Sequence, residues 1–110
     1  MTTSTQDRIM RTYAVTLRPF DGAEPVTVEV NLSYALDGFE AIDTNGHVIE
    51  PNDVRAQVEA VNRLRRLAAR GSVPVTAETI ERCDWDVAMV RHTLVRVETD
   101  ANGKPIRKGR

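Results

Sequence analysis

The chain carries one cysteine, five aromatic residues and no uninterrupted apolar run longer than the four residues from Val87 to Val90. Each shortage excludes something. A lone Cys83 cannot form an intramolecular disulfide, so a cross-linked secreted scaffold is not expected and a reducing cytosol is the natural compartment. Apolar runs this short supply neither a membrane-spanning helix nor a secretory core, so no membrane partner is expected. With Tyr13, Phe20, Tyr34, Phe39 and Trp85 as the only aromatics, the core must rest on Val, Leu, Ile and Ala. Also missing are C-x-x-C, H-x-x-x-H and H-E-x-x-H spacings, a phosphate-cradling glycine loop and a G-x-S-x-G turn. No catalytic residue, metal ligand or cofactor is therefore expected, and the chain reads as a non-enzyme.

What is present fits one small domain. A length of 110 residues, with 41% hydrophobic and 28% charged residues, suits a single core rather than two. Charge is unevenly placed. Up to Val54 there are three basic residues (Arg8, Arg11, Arg18) against nine acidic ones; from Arg55 onward there are twelve basic against seven acidic. Such a split points to charged partners or to one end docking on the other.

Hydrophobic periodicity predicts an α+β fold: an N-terminal antiparallel meander, a central amphipathic helix, and a C-terminal helix plus β-hairpin. Residues 1–9, polar and rich in Thr, read as a flexible tail, with Met10 a candidate start. Tyr13, Val15 and Leu17 alternate with polar or small residues, as do Val26, Val28, Val30 and Leu32, which is the pattern of half-buried strands. Between them, the stretch from Pro19 to Pro25 is rich in turn formers. Asp37-Gly38 and Asn45-Gly46 mark two further turns of the meander, flanking Phe39, Ala41 and Ile42 on one side and Val48 and Ile49 on the other as further strands, with residues 34–37 readable as strand or as connecting loop. From about Asn52 to Arg70, Val54, Val58, Val61, Leu64, Leu67 and Ala68 recur at helical spacing, and Gly71 closes the segment. Residues 76–97 admit two readings. In the preferred one a helix begins at Thr76 and yields to a strand near Thr93; in the other the helix ends near Asp84 and the strand begins at Trp85.

The pattern D-x-N-G-x-x-I occurs twice, at Asp43 to Ile49 and at Asp100 to Ile106. It lacks the three spaced ligands and register of a calcium loop, so turn chemistry is the preferred reading, the second copy closing a terminal hairpin. Cys83 falls on an apolar stripe and reads as a buried structural thiol. Trp85, between Asp84 and Asp86, reads as a core residue with its charged neighbours turned outward.

Two surfaces remain as candidates for binding. Arg55, Arg63, Arg66 and Arg70 fall within one arc of the central helix, interrupted by Glu59, and Lys104, Arg107 and Lys108 extend the basic character toward the C-terminus. Asp21, Glu24, Asp37, Glu40 and Asp43 lie in or beside the turns, as a candidate acidic surface. Three functions follow from this reading. The first is a non-enzymatic interaction protein, of the bacterial or phage regulator or inhibitor kind, binding another protein through charged surface. The second is a nucleic-acid-binding accessory protein using the arginine arc. The third is a subunit of a larger assembly, with self-association.

Overall fold

β-branched and aromatic residues at alternate positions favour extended chain, because one face can then be buried while the other stays polar. In the computed structural model, which describes residues 4–99, this produces β1 (Ser4–Pro19), β2 (Val26–Asp37) and β3 (Glu40–Ile42), followed by α1 (Val54–Ala69), α2 (Ala77–Glu81) and β4 (Cys83–Thr99). The strands form one antiparallel sheet in the order β3-β2-β1-β4. The α+β class and the N-terminal meander are as the periodicity predicts.

β1 is the spine of the sheet. It pairs with β2 from Arg8↔Ala35 to Leu17↔Val26 and with β4 from Ser4↔Thr99 to Pro19↔Cys83. Tyr13, Val15 and Leu17 on β1 share a face with Val28, Val30, Leu32 and Tyr34 on β2, and all are buried. Onto that face α1 lays Ala56, Ala60, Val61 and Leu64, while α2 adds Ile80. Trp85, Val87 and Met89 of β4 pack half-buried against the same cluster. The opposite face is polar, with the Thr12 hydroxyl donating to Asn31 Oδ1 at 2.7 Å and Arg91 donating to Glu29 at 2.8 Å.

Both ends of α1 are capped locally. The Asp53 carboxylate accepts from the Arg55 backbone N–H at 2.8 Å, satisfying a donor that the helix itself cannot. At the other end Gly71, at φ +70°, lets its own N–H reach Ala68 O while Ser72 N–H reaches Leu67 O. That pair of bonds is the Schellman closure, which needs a left-handed residue that glycine adopts without cost from a Cβ.

Three expectations are corrected. Residues 4–9 are not a tail; they are the first part of β1 and pair with β4 along their length. The strand expected around Val48 and Ile49 is reduced to a single bridge, Ile42↔Val48, because the Asp43–His47 turn occupies the intervening chain. The preferred helix from Thr76 to about Thr93 is also overturned: α2 stops at Glu81 and β4 begins at Cys83, close to the alternative reading. A β-bulge is the cause. Between Tyr13↔Met89 and Thr12↔Arg91 the strand β4 holds one extra residue, Val90, so its inward positions switch from odd numbers to even ones. Steps of Val87, Val90 and Leu94 then mimic helical spacing. The terminal hairpin expected over residues 95–108 extends beyond the described residues.

Leu64 is fully buried at the centre of the helix–sheet contact. Leu64→Ala is expected to lower the unfolding free energy by about 3 kcal/mol, read as a fall in urea midpoint, because it removes the buried Cγ and both Cδ carbons and leaves a cavity. Val54→Ala, at an exposed position of the same helix, is expected to change stability by less than about 0.5 kcal/mol.

Candidate interaction surface

The bulge decides what the far end of the sheet displays. Beyond it, His92 stands opposite Arg11, Leu94 opposite Ile9 and Arg96 opposite Asp7, all on the face that carries the helices. Without the extra residue, Arg91, Thr93 and Val95 would occupy those places instead. Tyr34, Ile9 and Leu94 thus form one row across three strands.

Among the described residues, none from a helix lines the cleft at this end. Thr5, Asp7, Ile9, Leu36, Leu94 and Phe39, with neighbours, line an open cleft of about 720 Å³. Phe39, at the tip of the β2–β3 turn, is fully exposed, and Leu94 is 63% exposed. Gly38, at φ +65°, makes the turn that projects Phe39. A second cleft of about 220 Å³ adjoins the first, sharing Ile9, Phe39 and His92 with it, and is walled by Arg11, Val48, Ile49 and Pro51. Glu40 and Glu50 also line it.

Beneath the start of α1, two tyrosines tie sheet to helix. Tyr13 Oη donates to Pro51 O at 3.1 Å, and Tyr34 Oη donates to Glu59 Oε2 at 3.0 Å. Burial raises the pKa of both phenols, and at Tyr34 the Glu59 carboxylate adds to the effect. Arg11 lies between them, its Cζ 5.4 Å from the centroid of the Tyr34 ring.

The residues singled out from the sequence are not gathered in this region. Arg55 is committed to the protein itself: its guanidinium donates to Asp53 at 2.7 Å, to Asp43 at 3.1 Å and to the Val48 carbonyl at 3.0 Å. Arg63, Arg66 and Arg70 make no ion pair among the described residues. Glu59, expected to interrupt their arc by pairing with Arg55 and Arg63, instead accepts from Tyr34. Lys104, Arg107 and Lys108 lie outside the described residues.

The acidic set divides between opposite ends of the sheet. Asp21 and Glu24 are in the β1–β2 connection, where Asp21 Oδ1 accepts from Ala23 N–H at 3.0 Å. Asp37, Glu40 and Asp43 sit at the other end, around β3. Asp43 serves its own turn, accepting from the N–H groups of Asn45 and His47, both at 2.9 Å. That is the turn chemistry expected of the first D-x-N-G copy. Cys83 is a buried free thiol that donates to Thr79 O at 3.1 Å.

Arg11, Ile9, Phe39 and Leu94 escaped the sequence reading. A signal for Arg11 was present, since it occupies an odd position of β1 in phase with Tyr13, Val15 and Leu17. Leu94 carried no such signal, because the bulge changes its phase.

The hydrogen bonds from His47 and Asn45 hold the Asp43 carboxyl below its ordinary pKa, and those from Arg55 do the same at Asp53. A carboxylate depressed in the folded state contributes stability that is complete above the unfolded value, near ~3.9, and is lost as pH falls through the folded one. Asp43→Asn/Asp53→Asn is therefore expected to lose less stability between pH 7 and pH 3 than the wild type, measured by urea midpoints. Equal losses would show that these two carboxylates do not drive the acid response.

No described helix is long and apolar enough to cross a membrane. No family model, curated protein or solved structure matches the chain.

Proposed function

We propose that the chain is a non-enzymatic interaction protein that docks a protein partner in the cleft at the end of the sheet that α1 and α2 leave open. The supporting observation is that Ile9, Leu36, Leu94 and Phe39 line one open cleft, with Phe39 and Leu94 exposed. Contiguous exposed apolar surface rimmed by polar groups is the usual form of a binding site. Aromatic side chains such as Phe39 anchor interfaces because they remove a large apolar area from water at small cost in side-chain freedom. The partner surface is thus apolar at its centre, not chiefly charged. Seven ion pairs among the described residues involve arginine, and four of them join the acidic N-terminal half to Arg55, Arg91 or Arg96. A regulator or inhibitor would act through this surface by covering what it binds.

A second reading, nucleic-acid binding, is favoured by one observation. Arg63, Arg66 and Arg70 follow one another at three- and four-residue spacing along α1, with no ion-pair partner among the described residues. Such a stripe can track phosphates, with affinity that falls steeply as salt rises.

The two readings separate in one experiment. The wild type, Leu94→Asp and Arg63→Gln/Arg66→Gln/Arg70→Gln are immobilised, and a stoichiometric partner from host extract is identified and rebuilt from purified components. Leu94→Asp is expected to weaken the rebuilt complex at least about tenfold, equivalent to about 1.4 kcal/mol, while the triple variant binds as the wild type does. Binding to the partner that Leu94→Asp leaves unchanged would sink the groove, as would a wild type that instead forms a homodimer lost in Leu94→Asp. Salt-sensitive binding of DNA or RNA, abolished only in the triple variant, would establish the second reading.

A further inference from the structure

Arg11 is an oddity of the inner face. Its companions at alternate positions of β1, namely Ile9, Tyr13, Val15 and Leu17, are apolar or aromatic, yet Arg11 itself is only 5% exposed. Its Nε and Nη1 are sealed from solvent with no hydrogen-bond acceptor among the described residues. Contact with the Tyr34 ring offsets part of the cost of burying a cation, but a ring face supplies no acceptor in the plane of the guanidinium. Buried ionised donors without partners are strongly destabilising, and native folds retain them where the group has another task.

We infer that Arg11 receives a carboxylate presented by the protein partner, an inference that rests on the groove-docking reading. Arg11 walls the smaller cleft, which shares Ile9, Phe39 and His92 as lining with the larger one. An extended segment lying along the apolar row therefore places one of its side chains beside Arg11. At about 220 Å³ this cleft has room for the side chain of an Asp or Glu. The planar guanidinium matches a carboxylate through two parallel N–H···O bonds, which would satisfy nitrogens that are otherwise orphaned.

Shape, not net charge, selects the carboxylate. Glu40 and Glu50 line the same cleft and oppose any anion, but both are exposed, so water and salt screen them, whereas the buried guanidinium is screened far less. The planar fork of the guanidinium then matches a planar carboxylate rather than a tetrahedral phosphate. His92, directly across from Arg11 on β4, is also exposed and lines both clefts. Since Nε and Nη1 are sealed in the unbound protein, engagement requires Arg11 to change rotamer toward the cleft.

The test titrates the ¹⁵N-labelled full chain with acetyl-Thr-Val-Glu-Val-Thr-amide, with its Glu-to-Gln counterpart and with inorganic phosphate, following the Arg11 Nε–H resonance. The Glu peptide is expected to bind at least about tenfold more tightly than the Gln peptide and to move that resonance. Arg11→Met is expected to erase the preference while keeping a urea midpoint equal to or above that of the wild type, because an apolar side chain replaces a buried cation two of whose nitrogens lack acceptors. Equal affinity for the two peptides, binding of neither, or tighter binding of phosphate overturns the assignment. So does a Glu40→Gln/Glu50→Gln variant that shifts the Arg11 resonance without any ligand, since an internal carboxylate would then already serve Arg11. The two readings fail separately. Equal binding of both peptides, lost in Leu94→Asp, keeps the groove and removes Arg11 as receptor; a Glu preference that survives Leu94→Asp keeps Arg11 and removes the groove.

Discussion

Because β1 is hydrogen-bonded along both edges, its pleat fixes which side of each neighbouring strand faces the helices. Tyr13, Val15 and Leu17 can reach α1 in one register only; a slip of one residue would bury Ala14 and Thr16 in their place. The same alternation carries Arg11 into the inner face with them. That burial is imposed by the strand, and the site at the end of the sheet is a consequence of it. β4 follows β1 as far as Met89 and then, through one unpaired residue, changes phase so that Leu94 joins Ile9.

The charge asymmetry of the chain has a largely internal meaning. Asp43 and Asp53, from the acidic half, converge on Arg55, the first basic residue of the other half, and fasten the β3 turn to the start of α1. Across the sheet, Glu29 meets Arg91 and Asp7 meets Arg96. Exposed pairs of this kind are individually weak, so their value lies more in register and in excluding alternatives than in net stability. Arg63, Arg66 and Arg70 along α1 are left outside this pairing among the described residues.

Most of the architecture was legible because it follows from short-range rules. The alternation in β1 and β2, the helical spacing from Val54 to Ala68 and the glycines at 38, 46 and 71 each act within a few residues. Misread features depend on partners distant in the chain. Residues 4–9 look polar and unstructured by themselves and become strand only because β4 lies beside them. The bulge is invisible locally, since an extra residue is defined by what it fails to face. For the site, Arg11 could have been found by extending the β1 alternation backward by two residues, where a guanidinium interrupts an apolar series. Phe39 and Leu94 could not, because single exposed apolar residues are common and only the fold makes neighbours of these two.

The pairing of β1 also orders events in time. Its partner on one side, β2, follows within a few residues, whereas its partner on the other side ends at Thr99, so that Ser4 and Thr99 become neighbours across nearly the whole described chain. Contacts so distant in sequence carry a large loop-closure cost and form late. During synthesis the β1–β2 hairpin and α1 can assemble first, while one edge of β1 stays bare until β4 emerges. The cleft cannot exist before that final strand docks, because Leu94 and His92 arrive with it. On the proposed docking, binding competence would follow only once β4 is in place, and a partner seated in the cleft would slow the departure of the strand that completes it.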